Sequence, residues 1–179
     1  HAQRRLARGD KTVAIIAAFY AAVVHFMRGR IRAGTAGLAA TDALVRSGAE
    51  RGLVQHYLLK KAELYLTIAG QLPNPVPPDL PGLRDLPAAI RLRLSARRLA
   101  AATLAELKGL ITVAEGFHSA RVALLEGLIA RASGQKDRAC DLLDQALAEF
   151  DRQGLAHFRH LALARRPRRG QARAPVAPG

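Results

Sequence analysis

Two histidines near the end of the chain, His157 and His160, are spaced i, i+3 and would share one face of a helix. Imidazole nitrogens can hold a metal ion, but no third ligand stands at a clear spacing from this pair, so surface histidines are the simpler interpretation. The single cysteine, Cys140, follows Ala139, and no histidine stands in a fixed relation to it. A small buried side chain is therefore favoured over a catalytic thiol. We predict no metal site and no catalytic residue.

The carboxylates and the search for phosphate-binding motifs do not indicate a catalytic or cofactor site either. Asp137, Asp141 and Asp144 form a row at i, i+4 and i+7, which is typical of a solvated helix face; an acidic contact for a basic partner is the alternative. The sequence contains none of the GxxxxGK[ST], GxGxxG, HExxH or CxxC motifs. We therefore expect no cofactor, and any nucleotide hydrolysis by a parent protein would lie outside this chain.

The net charge is +14, since 28 lysines and arginines face 14 acidic residues. The basic residues cluster at 28–32, 91–98 and 164–173. Such an excess attracts polyanions and acidic partners, so nucleic-acid binding is one hypothesis. These clusters contain no aromatic side chains on which bases would stack, and biased codon usage also enriches arginine and alanine. Solvated helix faces and a basic tail are the favoured interpretation.

Residues 12–27, TVAIIAAFYAAVVHFM, carry no formal charge. A membrane-spanning helix needs about 20 predominantly apolar residues, and a signal peptide needs a small-residue cleavage site that HFMRGR does not provide. We predict a buried helix of a helical bundle, no membrane partner and a cytoplasmic location, with a signal-anchor as the alternative.

The composition favours an all-α protein, because half of the residues are apolar, only 4% are aromatic, and alanine and leucine are strong helix formers. Six of the nine prolines fall within residues 72–87, which predicts a loop that divides the chain. The predicted segments are N-terminal helical repeats at 1–71, a proline-rich loop at 72–86, C-terminal helical repeats at 87–166 and a disordered basic tail at 167–179. Helices are expected at about 11–32, 35–48, 54–70, 87–115, 118–132, 137–152 and 154–166, with Asp10 and Asp137 as N-caps and Gly116 as a break.

Small residues recur at a regular spacing around the turn SGQK. Gly127 precedes Ala139 by twelve residues, and Ala139, Leu143, Ala146 and Phe150 form one helical stripe. Two antiparallel helices joined by four residues must pack closely, and small side chains allow axes about 8–10 Å apart. These five residues are the predicted core of a helical pair.

Glycine, alanine twelve residues later and alanine seven residues further on resemble the core spacing of the tetratricopeptide repeat. Ala36 and Ala43 repeat the seven-residue spacing, and ERGLVQHY at 50–57 is similar to RQGLAHF at 152–158. We therefore include Ala36 and Ala43 in the predicted repeat core, as part of a second, weaker copy.

More broadly, residues 120–170, and less closely 20–70, resemble the divergent repeat tails of large bacterial signalling proteins. These proteins join a kinase, cyclase or DNA-binding output to a regulatory ATPase of the STAND or AAA type. The resemblance implies antiparallel helix pairs stacked as a tetratricopeptide-like α-solenoid or superhelix. It also implies a non-catalytic regulatory module for protein–protein interaction or signal sensing, whose partner is another protein or another domain of the parent chain. Because the sequence starts at His1 rather than methionine, we expect a fragment of such a parent, a processed form or an incomplete gene model. An arginine-rich helical nucleic-acid-binding domain is the alternative, and an all-helical enzyme ranks third.

Overall fold

The structure, a computed structural model, describes residues 2–73, 78–111 and 116–167. Within these ranges every regular element is an α-helix, which confirms the all-α prediction for this part of the chain. The helices are α1 (Ala2–Met27), α2 (Ile31–Arg46), α3 (Arg51–Ile68), α4 (Leu86–Lys108), α5 (Gly116–Ala132), α6 (Lys136–Arg152) and α7 (Ala156–Arg165).

Helix α1 ends at Met27 and the chain turns at Gly29, before the predicted end of this helix at about residue 32. Gly29 has a φ of +66°, and the bonds Gly29 N–H to Phe26 O and Arg30 N–H to His25 O close α1 with a Schellman motif. An added Cβ on Gly29 would also stand 2.7 Å from the Leu80 carbonyl oxygen. The same pair of backbone bonds ends α3, α5 and α6, at Gly70, Gly134 and Gly154.

Three other predicted boundaries are wrong. Asp10 lies inside α1, and Asp137 lies in the first turn of α6, where Gln135 is the N-cap residue. Gly116 begins α5 rather than ending α4, which stops at Lys108. The carbonyl of Leu110, just beyond that end, accepts hydrogen bonds from the Arg51 guanidinium (3.0 Å) and the Gln55 amide (2.8 Å). The start of α3 therefore meets the end of α4, so these helices run antiparallel.

The chain forms two compact units that divide between Leu110 and Ile111. The expected division at 72–86 is not observed, because α4 packs against α3 across that loop and buries Ala96, Ala100 and Leu107. Apart from Pro167, the predicted disordered tail lies outside the described residues.

In the first unit, α1 and α2 form an antiparallel pair that is closed by glycine. An added Cβ would stand 2.9 Å from the Phe26 ring at Gly34 and 2.9 Å from the Ala22 side chain at Gly37. Helix α1 also contacts α3, and α2 contacts α4, where the Arg32 backbone N–H donates to the Asp85 carboxylate over 2.9 Å. The two antiparallel pairs therefore lie side by side.

The inclusion of Ala36 and Ala43 in a repeat core is wrong, because both residues are exposed. The buried residues of α2 are Gly34, Leu38, Thr41 and Val45. Since Gly34 and Gly37 make the close approach to α1, they turn the face that carries Ala36 and Ala43 towards solvent.

In the second unit, α5 and α6 pack through the small residues expected from the sequence. Gly127 is buried, and an added Cβ there would stand 2.8 Å from Leu143 Cγ. Ala139, Leu143, Ala146 and Phe150 are all fully buried on one side of α6. The ring of Phe158 on α7 stacks on Phe150 with centroids 5.4 Å apart, so α7 covers one end of this pair.

Enlarging the seam between α5 and α6 should destabilise the second unit. We expect Ala146→Leu to lower the free energy of unfolding by about 1–3 kcal/mol, because the alanine side chain is fully buried between the helices and a larger one must displace its neighbours. Gln145 is exposed on the same helix, so Gln145→Leu should change stability by less than about 0.5 kcal/mol. Chemical denaturation of both variants checks this expectation. A neutral Ala146→Leu beside a destabilising Gln145→Leu would mean that the helix faces are assigned backwards.

Candidate functional site

Helix α1 is apolar on two opposite sides, and only one of them is covered. Its buried side carries Ile15, Phe19, Ala22 and Phe26. Its other side exposes an apolar stripe at i, i+3, i+7 and i+11, where the exposed fractions are 66% for Val13, 41% for Ile16, 52% for Tyr20 and 47% for Val24. The sequence predicted a buried helix here, and the structure corrects this to a half-buried one.

A groove with a volume of about 200 Å³ runs between this stripe and α3. Its walls come from Ile15, Ile16, Phe19 and Tyr20 on α1 and from Leu53, His56, Tyr57 and Lys60 on α3. The α1 wall is apolar, and polar atoms enter mainly from α3, where the Lys60 ammonium group pairs with Glu63 over 3.0 Å. An apolar wall with a few polar groups at its edge is suited to binding an amphipathic segment.

Tyr57 connects the groove to a polar cluster that fixes α3 on α2. Its ring meets Phe19 edge to face, with centroids 5.7 Å apart, and its hydroxyl donates to Asp42 Oδ1 over 2.6 Å. Lys61 Nζ donates to both oxygens of the same carboxylate, over 2.6 and 2.8 Å. Burial, and then the Asp42 carboxylate, hold the pKa of Tyr57 above its ordinary value of 10.0.

The sequence alone does not indicate this cluster. The spacing of Tyr57 and Lys61 places them on one face of a helix, but their shared partner Asp42 comes from another helix. Burial and Asp42 also raise the pKa of Tyr65. The cluster of Asp42, Tyr57 and Lys61 is suited to holding two helices together, because each of these three side chains has a hydrogen-bond partner within it.

His157, His160 and Cys140, the residues whose types could do chemistry, are distant in sequence from the residues that line the groove. His157 and His160 are exposed on α7, and the Cys140 thiol is buried with the Pro167 carbonyl 3.6 Å away. Among the described residues, no group of three His, Cys, Asp or Glu side chains is arranged to hold a metal ion. The structure therefore brings none of these residues together as a site.

One residue of the acidic row pairs with the basic cluster at the end of the chain. Asp144 pairs with Arg166, which belongs to the cluster at 164–173, over 2.6 Å. Asp137 and Asp141 face solvent. The solvated face that the spacing indicates is therefore present, and Asp144 at its end pairs with Arg166.

Searches against protein families, characterised proteins and solved structures found no match to this chain. In the part of the chain that the structure describes, no helix has the length and apolar character that a membrane span requires. The exposed apolar stripe on α1 and the groove beside it form the candidate site on geometric grounds alone.

The raised pKa of Tyr57 predicts how stability depends on alkaline pH. A folded chain keeps the Tyr57 proton where an unfolded chain loses it, so this contribution is complete below the ordinary tyrosine pKa and is lost as pH rises. We expect the unfolding free energy to fall less steeply in Tyr57→Phe than in the unmodified chain between about pH 9 and about pH 11. Urea denaturation at several pH values gives the slope of the unfolding free energy against pH.

Tyr20→Phe is the matched control, because it removes a hydroxyl from an exposed ring on the same groove. If Tyr57→Phe and the unmodified chain give the same slope, the pKa of Tyr57 does not differ between the folded and the unfolded chain.

Proposed function

We propose that this chain is a non-catalytic helical-repeat module for protein–protein interaction, and that its groove between α1 and α3 receives an apolar helix. The observation that carries this proposal is the exposed apolar stripe of Val13, Ile16, Tyr20 and Val24. Four such side chains along one helix form a contiguous patch, and contiguous apolar patches mark interaction sites more often than scattered ones do.

The side-by-side helix pairs support a stacked, tetratricopeptide-like arrangement. The pair α1–α2 lies against the pair α3–α4, with α1 beside α3 and α2 beside α4. In repeat proteins each pair buries its apolar face against the next pair, and a terminal pair carries a polar outer face. The outer side of α1 is apolar, so it has the character of an internal repeat face that another helix covers.

On this proposal, the occupant is a helix of a protein partner or of another domain of the parent chain. The resemblance of residues 120–170 to signalling-protein tails adds the wider proposal of a regulatory C-terminal part of a cytoplasmic bacterial ATPase or kinase. The net charge of +14 favours the alternative of a nucleic-acid-binding domain. Phosphate contacts would make that binding fall steeply with salt, whereas apolar contacts in the groove would not.

The groove is tested with a displayed library of amphipathic helical peptides selected against the whole chain. We expect the selected peptides to share an apolar face and to lose at least about tenfold in affinity for an Ile16→Asp, Tyr20→Asp variant, because a charge placed in an apolar contact must be desolvated. Circular dichroism checks that this variant keeps its helices. Peptide binding is measured at low and high salt, because apolar contacts in the groove would persist at high salt whereas contacts to nucleic-acid phosphates would weaken steeply.

Leu163→Asp is the matched control, since Leu163 is a half-exposed apolar residue of the second unit. Peptides whose affinity falls equally in both variants, or not at all in the α1 variant, would count against the groove.

A further inference from the structure

A second apolar row lies on α4, on the side that faces away from its packing. Leu86, Ile90 and Leu94 follow one another at i, i+4 and i+8, and their exposed fractions are 43%, 53% and 78%. The row extends for about 12 Å along the helix axis. The opposite side of α4 carries the buried residues Ala96, Ala100, Thr103, Leu104 and Leu107. We call the exposed row and the arginines beside it the α4 ridge.

Arginines border this row on both sides. Arg91 lies on one side of the row, Arg93 and Arg97 lie on the other, and Arg98 continues the row at i+4 from Leu94; all four are exposed. The sequence from residue 86 to residue 105 contains no aspartate or glutamate. The ridge therefore combines an apolar row with four exposed basic side chains.

We propose that the α4 ridge binds an acidic amphipathic helix of a partner protein. The apolar face of that helix would pack on Leu86, Ile90 and Leu94, and its flanking carboxylates would pair with the arginines. Guanidinium groups bind carboxylates through two parallel hydrogen bonds, which gives arginine rows a preference for such partners. An apolar seam with charged residues on both edges is also how two helices recognise each other in coiled coils.

The shape of the ridge favours a helix over other anionic partners. A nucleic acid would use the arginines but would leave the exposed leucines in water, and the ridge offers no aromatic ring for base stacking. An anionic bilayer would favour a broad apolar surface, whereas this row is one side chain wide. The ridge is separate from the groove between α1 and α3, so this proposal goes beyond the function proposed above and does not rest on it.

A synthetic helix with leucine at its seam positions and glutamate at the surrounding positions is the probe, and the same peptide with lysine for glutamate is its control. Fluorescence anisotropy with the whole chain should show binding of the glutamate peptide only. We expect Arg91→Glu with Arg98→Glu to weaken that binding at least about tenfold, and Leu94→Ser to weaken it several-fold. Lys136→Glu with Arg138→Glu gives the same change in net charge on α6 and should have little effect.

Three results would overturn the proposal. Equal losses in the α4 and α6 double variants would show attraction by net charge alone. An unchanged affinity in Leu94→Ser would show that the apolar row takes no part. Duplex DNA or phosphatidylglycerol vesicles that bind more tightly than the peptide, and lose that binding with Arg91→Glu and Arg98→Glu, would assign the ridge to those partners instead.

The Tyr20→Asp variant separates this proposal from that for the groove. It alters the groove alone, so it should bind the glutamate peptide as the unmodified chain does. If the α4 ridge does not bind the glutamate peptide, the proposal for the groove still stands. If the groove does not bind helical peptides, the proposal for the ridge still stands. Circular dichroism of each variant checks that the helices are retained.

Discussion

Where α1 meets α2 and where α5 meets α6, a glycine hydrogen occupies a place in which a methyl group would collide. The nearest atoms to an added Cβ are the Phe26 ring at Gly34 (2.9 Å), the Ala22 side chain at Gly37 (2.9 Å) and Leu143 Cγ at Gly127 (2.8 Å). Because the helices approach so closely, a large buried side chain on one helix fills the hollow that a glycine leaves on the other. The rotation of each helix follows from this contact, and so does the choice of the face that remains exposed.

The sequence predicted this contact in one pair and placed it wrongly in the other. The spacing of Gly127, Ala139 and Ala146 identified the seam between α5 and α6, because helical periodicity is a local property that a sequence displays directly. The same spacing at Ala36 and Ala43 fell on an exposed face, since in an alanine-rich chain this pattern also arises without any packing.

The boundary between units and the candidate surfaces needed three-dimensional information. A proline-rich segment predicts a loop, but only the packing of α4 on α3 shows that this loop lies within one unit. Residues 12–27 are apolar around the whole helix, so periodicity could not show which side would lack a cover. The cluster of Asp42, Tyr57 and Lys61 joins two helices, and neither helix alone indicates its partner.

Close helix approach at glycine determines how these helices pack, and a comparison of Gly127→Ala with Gly52→Ala measures that dependence. Both glycines lie in helices, where alanine is intrinsically favoured by up to about 1 kcal/mol. Nothing lies within 4 Å of an added Cβ at Gly52, so that variant should gain stability. Gly127→Ala should instead lose about 1–3 kcal/mol in chemical denaturation, because the added Cβ would stand 2.8 Å from Cγ of the fully buried Leu143. If Gly127→Ala is stabilised as much as Gly52→Ala, α5 and α6 have room for a methyl group at Gly127, and close approach at glycine does not determine their packing.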